Sequence, residues 1–331
     1  MKIKNLKLKI WLYLFAAIAV LVFPHKASAG ELSLGINPPI IQIEANPGAS
    51  ITTSPITIQN LGEEAITLNI VAKPFTQGDN RDGTVSFTDE IKGPDKQIFD
   101  KMQVMHNDHV VDSLTLSPQQ ETSVILHIGL PKDEPAADYY FSLIFVSNNN
   151  TADLKTGNSL SGGIATNILL SIGPKGQTLG SIEQFSVPLF VQKGPVPFTI
   201  LVKNESNHVI APTGGIVITN MFGQRIGNVE LLPVNILAGA IRAFPDSDQS
   251  PEKIENLKLK IENSEIPRAF WREVFLLGPY SATLNLALSD QGPVYTRTIH
   301  FFALPAEAIV ALSVAIIVVI FIRRRVKQRL S

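Results

Sequence analysis

The sequence predicts an all-β protein of two tandem Ig-like β-sandwich domains between a signal peptide and a C-terminal transmembrane helix. Apolar and polar residues alternate with a period of two in many short segments, for example 66–70 and 124–130, which is typical of half-buried antiparallel strands. Turn residues such as Asp82-Gly83 separate these segments about every ten residues, as in a sandwich. The 331-residue chain is also strongly apolar at both ends.

Residues 1–29 are predicted to be a secretion signal. Four lysines precede an apolar run over residues 10–23, and Ala27-Ser28-Ala29 follows the run. Signal peptidase requires small side chains at the two alanine positions, so we expect cleavage after Ala29, directed by Ala27 and Ala29. An uncleaved anchor is the alternative, but the run is shorter than the about 20 residues that cross a bilayer.

Residues 303–322 are predicted to form a transmembrane helix, because 308–322 carry no charge and the segment reaches the required length of about 20 residues. The tail of residues 323–331 contains a basic cluster of Arg323, Arg324, Arg325, Lys327 and Arg329. This cluster orients the chain by the positive-inside rule. The prediction is a single-pass cell-membrane protein, with its ectodomain outside and its C-terminus in the cytoplasm.

Two other interpretations of the C-terminal segment remain open. A buried core helix would not end in three arginines. A wall-sorting signal would need Leu-Pro-x-Thr-Gly, whereas Leu304-Pro305-Ala306-Glu307-Ala308 has Glu and Ala at the last two positions. We therefore expect retention as a membrane protein and not covalent attachment to the wall.

The ectodomain is divided near Gly173-Pro174 into a membrane-distal domain of residues 30–174 and a membrane-proximal domain of residues 175–302. The run over 139–146 is apolar on nearly both faces, which predicts a central strand. We expect a long hairpin loop over 148–163. Short helices are expected over 95–102 and 251–257.

Composition excludes several classes of function. The chain has no cysteine, so disulfides, thiol nucleophiles and thiolate metal sites are all excluded. In the predicted ectodomain, residues 30–302, 18 basic residues face 28 acidic ones, a net charge of about −10. This charge argues against nucleic acid as a ligand. We find no Gly-x-Ser-x-Gly elbow and no arguable pair of catalytic carboxylates, so we predict neither catalysis nor a cofactor.

Two polar segments resemble metal sites without meeting their requirements. His106 and His109, with Asp112, would share a face only on a helix, and a strand pattern follows them, so a solvated loop is favoured. Residues 78–83 resemble a calcium loop, but Gly78 offers no side chain at the first position. A hairpin turn at Asp82-Gly83 before a strand is the simpler interpretation. We predict no metal site.

Trp271 could form an aromatic contact surface for a partner or a glycan, because Phe270, Arg268 and Arg272 are close to it in the sequence. A place in the sandwich core is the more common fate of such a tryptophan. We expect Tyr139 and Tyr140 to be core and rim of a central strand. Asn149-Asn150-Thr151 and Asn204-Glu205-Ser206 are formal glycosylation sequons.

Several segments in order resemble the WxL-interacting proteins of Gram-positive bacteria, and more widely the Ig-like domains that include pilus chaperones. In the first domain these segments are Ile36-Asn37-Pro38-Pro39-Ile40, Asn46-Pro47-Gly48, Ile56-Thr57-Ile58-Gln59-Asn60, Leu116-Ser117-Pro118-Gln119-Gln120, Pro131-Lys132-Asp133 and Asp138-Tyr139-Tyr140. In the second they are Val202-Lys203-Asn204-Glu205-Ser206, Val234-Asn235-Ile236-Leu237-Ala238-Gly239 and Leu277-Gly278-Pro279-Tyr280. The resemblance implies a first domain associated with peptidoglycan and WxL proteins. The stretch 246–263 looks like an insertion relative to that family.

These observations predict a membrane-anchored surface protein that binds or scaffolds. We expect it to engage cell-wall polymer or a secreted envelope protein, through residues that the sequence does not identify. The alternative is an extracytoplasmic chaperone or assembly factor that pairs a sheet edge with a strand of another protein, since sandwiches present sheet edges and end loops.

Overall fold

The computed structural model describes residues 33–88, 98–147, 162–247, 266–290, 292–305, 310, 314–323 and 325. Within these residues the chain forms 21 β-strands. Helix is present at 98–99 and over 314–323, and residues 310 and 325 are also helical.

The first sandwich contains twelve of the described strands. They are β1 (Leu34–Asn37), β2 (Ile40–Ala45), β3 (Ser50–Thr52), β4 (Ile56–Asn60), β5 (Ile66–Gln77), β6 (Val85–Phe87), β7 (Met102–His106), β8 (His109–Val110), β9 (Ser113–Leu116), β10 (Glu121–Gly129), β11 (Ala137–Ser147) and β12 (Gly163–Ile172). One sheet has the order β1-β4-β10-β7-β8, with β3 also on β10. The other has the order β2-β12-β11-β5-β6, with β9 also on β5.

The second sandwich contains the other nine described strands. They are β13 (Gly180–Ser186), β14 (Phe190–Val191), β15 (Val196–Asn204), β16 (Thr213–Asn220), β17 (Arg225–Glu230), β18 (Ile241–Ala243), β19 (Ala269–Trp271), β20 (Gly278–Ala287) and β21 (Val294–Ala303). Its sheets have the orders β13-β15-β18, with β19 also on β15, and β14-β21-β20-β16-β17.

Each sandwich has its own apolar core, formed by the inward side chains of both of its sheets. Phe141 and Phe145 of β11 are buried in the first core, together with Ile56 of β4. Phe198 of β15 and Leu284 of β20 are buried in the second. The period-two patterns in the sequence thus place one side chain in two against the facing sheet. The predicted pair of Ig-like sandwiches is confirmed.

The strand predictions agree with the structure in detail. β11 lies between β12 and β5, as the two-sided apolar run over 139–146 predicted. Of the predicted helix over 95–102, residues 98–99 are helical and Met102 already begins β7. The helix predicted over 251–257 lies outside the described residues, as does most of the loop predicted over 148–163.

The predicted membrane localisation is wrong. In the described part of the chain, no helix combines the length and the apolar character that crossing a membrane needs. Ala303, predicted to begin the spanning helix, is instead the buried last residue of β21. The single-pass topology, with the ectodomain outside and the C-terminus in the cytoplasm, is therefore corrected.

The residues predicted for sorting and orientation are mostly not described. Ala27 and Ala29 lie outside the described residues, so signal cleavage stays a prediction. Arg323 lies in the helical stretch over 314–323, and Arg325 is helical too. Arg324, Lys327 and Arg329 lie outside the described residues.

Candidate functional site: an open flank of the first sandwich

The first sandwich has an open flank where its first strand changes sheets. Pro38 and Pro39 separate β1 from β2, and neither has a backbone N–H to extend a ladder. Before them β1 pairs antiparallel with β4. After them β2 pairs parallel with β12, but only from Asn167 onward. Among the described residues, residues 163–166 of β12 therefore pair with β11 on one side and have no hydrogen-bonded strand on the other, where β1 lies close by. We call β1 and residues 163–166 the open flank.

The backbone of β12 presents hydrogen-bonding groups on this flank. The N–H of Asn167 donates to the carbonyl oxygen of Pro39 at 2.9 Å, so Asn167 faces the side of β2. The carbonyl of Gly162 faces the other way and accepts from Ser147 N–H at 2.9 Å. Because these groups alternate along a strand, Gly163 and Ala165 direct their N–H and C=O groups at the open side. These outward groups alternate as the groups that pair with a neighbouring strand do.

Apolar side chains line both faces of the flank. Leu34 and Ile36 of β1, and Ile164 of β12, are half-buried at the margin of the first core. On the outer face, Ala165 pairs with Ile144 of β11, which is also half-buried. A strand added here would cover apolar surface with both of its faces, as a central strand does.

The flank lacks the devices that usually protect an edge. Natural edge strands are commonly blocked by charged side chains, proline or inward-pointing charges. Residues 163–166 are Gly, Ile, Ala and Thr, none of which has this effect. The end of the flank next to Asn167 is closed by Thr166, whose hydroxyl donates to the carbonyl of Pro38 at 2.9 Å. Within the part of the chain that the structure describes, the flank is therefore an edge about four residues long without protecting side chains.

β21 in the second sandwich offers a contrast. β14 pairs only with Phe302 and Ala303, so the edge of β21 before them has no partner strand among the described residues. Arg297 lies on the same face as the core-packing Tyr295 and Ile299, and it donates across the edge to the carbonyl of Ile182 at 3.2 Å. An inward-pointing charge of this kind protects an edge.

The outer face of β21 is also polar. Thr298 bonds to Thr283 at 2.9 Å, and His300 bonds to Ser281 at 2.9 Å. These cross-strand pairs satisfy side chains within the sheet and offer little apolar surface to a further strand. Among the described residues, β21 thus presents a long, protected edge, whereas the open flank is short and carries no protecting side chain.

An apolar junction fixes the first sandwich against the second. Phe75 of β5 and Leu169 of β12 are buried with Leu237 of the second sandwich. The ring of Phe75 stacks on that of Tyr140 at a centroid distance of 6.3 Å. Leu169 is four residues beyond Ala165, about 13 Å along the strand. The junction therefore uses the far end of β12 and leaves the open flank accessible from this side.

Polar contacts accompany the apolar ones at the junction. The Asp138 carboxylate accepts from Val209 N–H at 2.6 Å and from the Tyr140 hydroxyl at 2.9 Å. The same hydroxyl accepts from Ala238 N–H at 3.3 Å. Burial raises the pKa of Tyr140. Burial lowers the pKa of His208 beside it, against the opposing pull of Asp138.

The β5–β6 hairpin provides a second clasp. Arg81 in its turn accepts at its carbonyl from Ala243 N–H of β18 at 2.8 Å. Gly83 has φ +93°, and a Cβ there would lie 2.2 Å from Nη2 of Arg242. Arg242 donates to the carbonyl of Asn235 at 2.5 Å, and burial lowers its pKa. The predicted hairpin at Asp82-Gly83 is confirmed, and its contact with the other sandwich is new.

His106 and His109 face each other across a two-residue hairpin. They pair in register at the ends of β7 and β8, and Asn107 and Asp108 form the turn with positive φ angles of 49° and 63°. The sequence predicted a solvated loop here, and the structure gives it as a tight β-turn with Asn107 and Asp108 exposed. Among the described residues no group of three or more His, Asp or Glu side chains could hold a metal ion.

Trp271 lies in the second core and is 6 % exposed. Its ring meets those of Tyr280 and Phe301 edge-on, at 5.7 and 6.5 Å. The core interpretation of Trp271 is confirmed. Tyr139 is likewise in the first core, with its hydroxyl donating to Glu134 at 2.5 Å.

Each sandwich contains a buried asparagine at the end of a strand whose side chain binds several backbone groups. The sequence did not reveal this role. Asn60 ends β4 and donates to the carbonyls of Glu64, Leu116 and Ser117 at 2.8, 3.3 and 3.0 Å. Asn204 ends β15 and is fully buried, and its side-chain amide likewise donates to backbone carbonyls, including that of His208 at 2.8 Å. Burial of this side chain rules out the sequon at Asn204 as a glycosylation site in the folded protein. The other sequon, at Asn149, lies outside the described residues.

No protein-family model matches the chain, and no curated protein matches it. Among solved structures, the class 5 fimbrial chaperone CfaA is 11 % identical, with a TM-score of 0.34 over 82 % of this chain and 100 % of that one. The Pseudomonas aeruginosa CupB2 chaperone is 7 % identical, with a TM-score of 0.33 over 78 % of this chain and 97 % of that one. A chain of the Salmonella enterica SafA pilin–SafB chaperone complex is 11 % identical, with a TM-score of 0.31 over 82 % of this chain and 96 % of that one.

Proposed function

We propose that the chain is an extracytoplasmic binding and assembly factor that takes up an extended segment of a secreted envelope protein by strand addition at the open flank. The observation that supports this most is the unprotected edge over residues 163–166, where Gly163 and Ala165 direct their backbone groups outward. The role is binding and not catalysis. The extracytoplasmic address rests on the predicted signal over residues 1–29.

The flank favours a partner segment that is apolar on both faces. Side chains facing the core would lie against Leu34, Ile36 and Ile164. Side chains facing outward would lie near Ala165 and Ile144. Backbone hydrogen bonds supply affinity in strand addition, and the side-chain contacts supply specificity. The resemblance to WxL-interacting proteins agrees with a secreted envelope protein as the partner.

The proposal is tested with Ala165→Pro in the full chain. Proline removes the N–H that faces the open side, and edge strands tolerate it at such positions. The probe is a labelled twelve-residue peptide of alternating Val and Ile with Lys at both ends, and binding is followed by fluorescence anisotropy. Each backbone hydrogen bond contributes about 1 kcal/mol, and the ring also blocks close approach, so we expect affinity to fall about tenfold.

Thr298→Pro is the matched control, because it removes an outward N–H from the protected edge of β21. We expect it to bind the peptide as the unmodified chain does. Hydrogen exchange on the complex should slow the amides of Gly163 and Ala165. Equal losses in both variants, protection confined to β21, or no peptide binding at all would each contradict strand addition at the flank.

A further inference from the structure

The second sandwich has an open pocket of about 490 Å³ between the edge strands β17 and β19. Asn228 and Glu230 line it from β17, and Phe270, Arg272 and Glu273 line it from β19 and the residue pair that follows. Ligand sites commonly have volumes of about 300–1,000 Å³. This pocket is on a different sandwich from the open flank.

A buried carboxylate organises the pocket wall. Asp246 is 3 % exposed. Its Oδ2 accepts from Phe270 N–H at 2.7 Å, and its Oδ1 forms an ion pair with Arg272 at 3.2 Å. The neighbouring Ser247 N–H donates to the carbonyl of Glu230 at 2.9 Å. The ion pair positions the half-exposed guanidinium of Arg272 at the wall, and the backbone bonds join the two strands that form it.

Trp271 provides a fixed floor. It also lines the pocket while its ring packs in the second core. Gly227 of β17 lies directly against the indole, and a Cβ on it would be 2.5 Å from Nε1. The glycine therefore permits close contact between the floor and β17.

The lining favours a ligand that both donates and accepts hydrogen bonds. Glu230 and Glu273 are exposed acceptors, while Asn228 and Arg272 are donors. Because Arg272 is paired with Asp246, the two glutamates leave the pocket net negative, which disfavours an anionic polymer. An ammonium group only donates hydrogen bonds, so it would leave the donors of Asn228 and Arg272 without a ligand acceptor. Hydroxyl groups donate and accept, and the ring of Phe270 suits the apolar face of a sugar.

We propose that this pocket binds an uncharged saccharide. The proposal stands apart from strand addition, since it uses residues of the second sandwich alone. The probe is the β-1,4-linked tetramer of N-acetylglucosamine, titrated into the full chain by calorimetry. Saturable binding is expected. Glu230→Ala should weaken it about tenfold, because a carboxylate commonly makes more than one charge-assisted hydrogen bond to a sugar.

Glu183→Ala on β13 is the matched control, since Glu183 is exposed on an edge strand and does not line the pocket. We expect it to leave saccharide affinity unchanged, and Ala165→Pro should also leave it unchanged. The proposal is overturned if the tetramer does not bind at millimolar concentration, or if Glu230→Ala and Glu183→Ala bind it equally. Preferential binding of tetralysine over the saccharide would also overturn it.

Discussion

Replacement of Asn204 by alanine should destabilise the second sandwich more than any surface substitution. The Asn204 side chain is fully buried. Its Nδ2 donates to the carbonyls of His208, Ile236 and Leu237 at 2.8, 2.9 and 3.1 Å. Its Oδ1 accepts from Ser206 N–H at 2.8 Å. One side chain therefore satisfies four backbone groups from two loops.

The expected loss follows from the number of groups left without a partner. A buried polar group that loses its partner costs about 1–3 kcal/mol. The amide has only two N–H hydrogens for three carbonyls, so we count two lost donor bonds and one lost acceptor bond. At the lower part of this range, the three losses should together reduce the free energy of unfolding by about 3–5 kcal/mol. Globular proteins have about 5–15 kcal/mol in total, so the variant should be close to its stability limit.

Urea unfolding followed by tryptophan fluorescence measures this loss. In a Trp11→Phe background Trp271 is the only tryptophan, and its burial in the second core makes it a reporter of that sandwich. At a slope of about 2 kcal/mol per molar urea, the midpoint should fall by about 2 M. Asn228→Ala is the control, since Asn228 is exposed, and it should change stability by less than about 0.5 kcal/mol. A loss below about 1 kcal/mol for Asn204→Ala would refute this reasoning.

Two further predictions concern the junction between the sandwiches. Gly83→Val should open the contact between the β5–β6 hairpin and the second sandwich, because the new Cβ would lie 2.2 Å from Nη2 of Arg242 and a φ of +93° is strained for valine. Hydrogen exchange at the Ala243 amide should then become faster, and Gly223→Val, in an exposed turn, is the control. Unchanged exchange at Ala243 would contradict this prediction. Acidification should destabilise the fold through His208. Burial lowers its folded pKa, so the unfolded state binds the proton first, and stability is lost as pH falls below about 6.5 toward the folded pKa. His208→Gln should flatten this part of the pH profile, and a profile with the same slope in the variant would show that other groups cause it.

The strands were predicted well because the alternation of apolar and polar residues that indicates a half-buried strand lies within the strand itself. The alternation over 124–130 and 284–288 requires only that one face is buried, and both segments lie in the cores. The tight turn at Asn107 and Asp108 was missed because neither residue is glycine, although both can adopt positive φ. The helix over 303–322 was predicted from hydropathy alone. That pattern did not reveal that Phe301 and Ala303 complete a strand whose partner, β20, lies about 20 residues earlier.

The open flank could not be predicted from the sequence for a different reason. Residues 163–166 form an edge only because β2 begins to pair at Asn167, which depends on where two distant strands meet. The junction depends in the same way on Asp138 and Val209, which are 71 residues apart. The sequence showed Asn204 only as part of a formal sequon, and the roles of Asn60 and Asn204 depend on where distant carbonyls lie. In each case the missing information was long-range pairing.

Strand β12 limits the ways in which this protein can evolve. Ile164, Ile168 and Leu170 point into the first core, while Ala165 borders the flank and Leu169 enters the junction. A deletion or insertion of one residue within β12 would exchange the two sets, and core, junction and flank would all fail together. We therefore expect related sequences to change their partner preference by point substitutions at positions such as Ala165. Insertions and deletions should occur in the connection before Gly163 and not within β12.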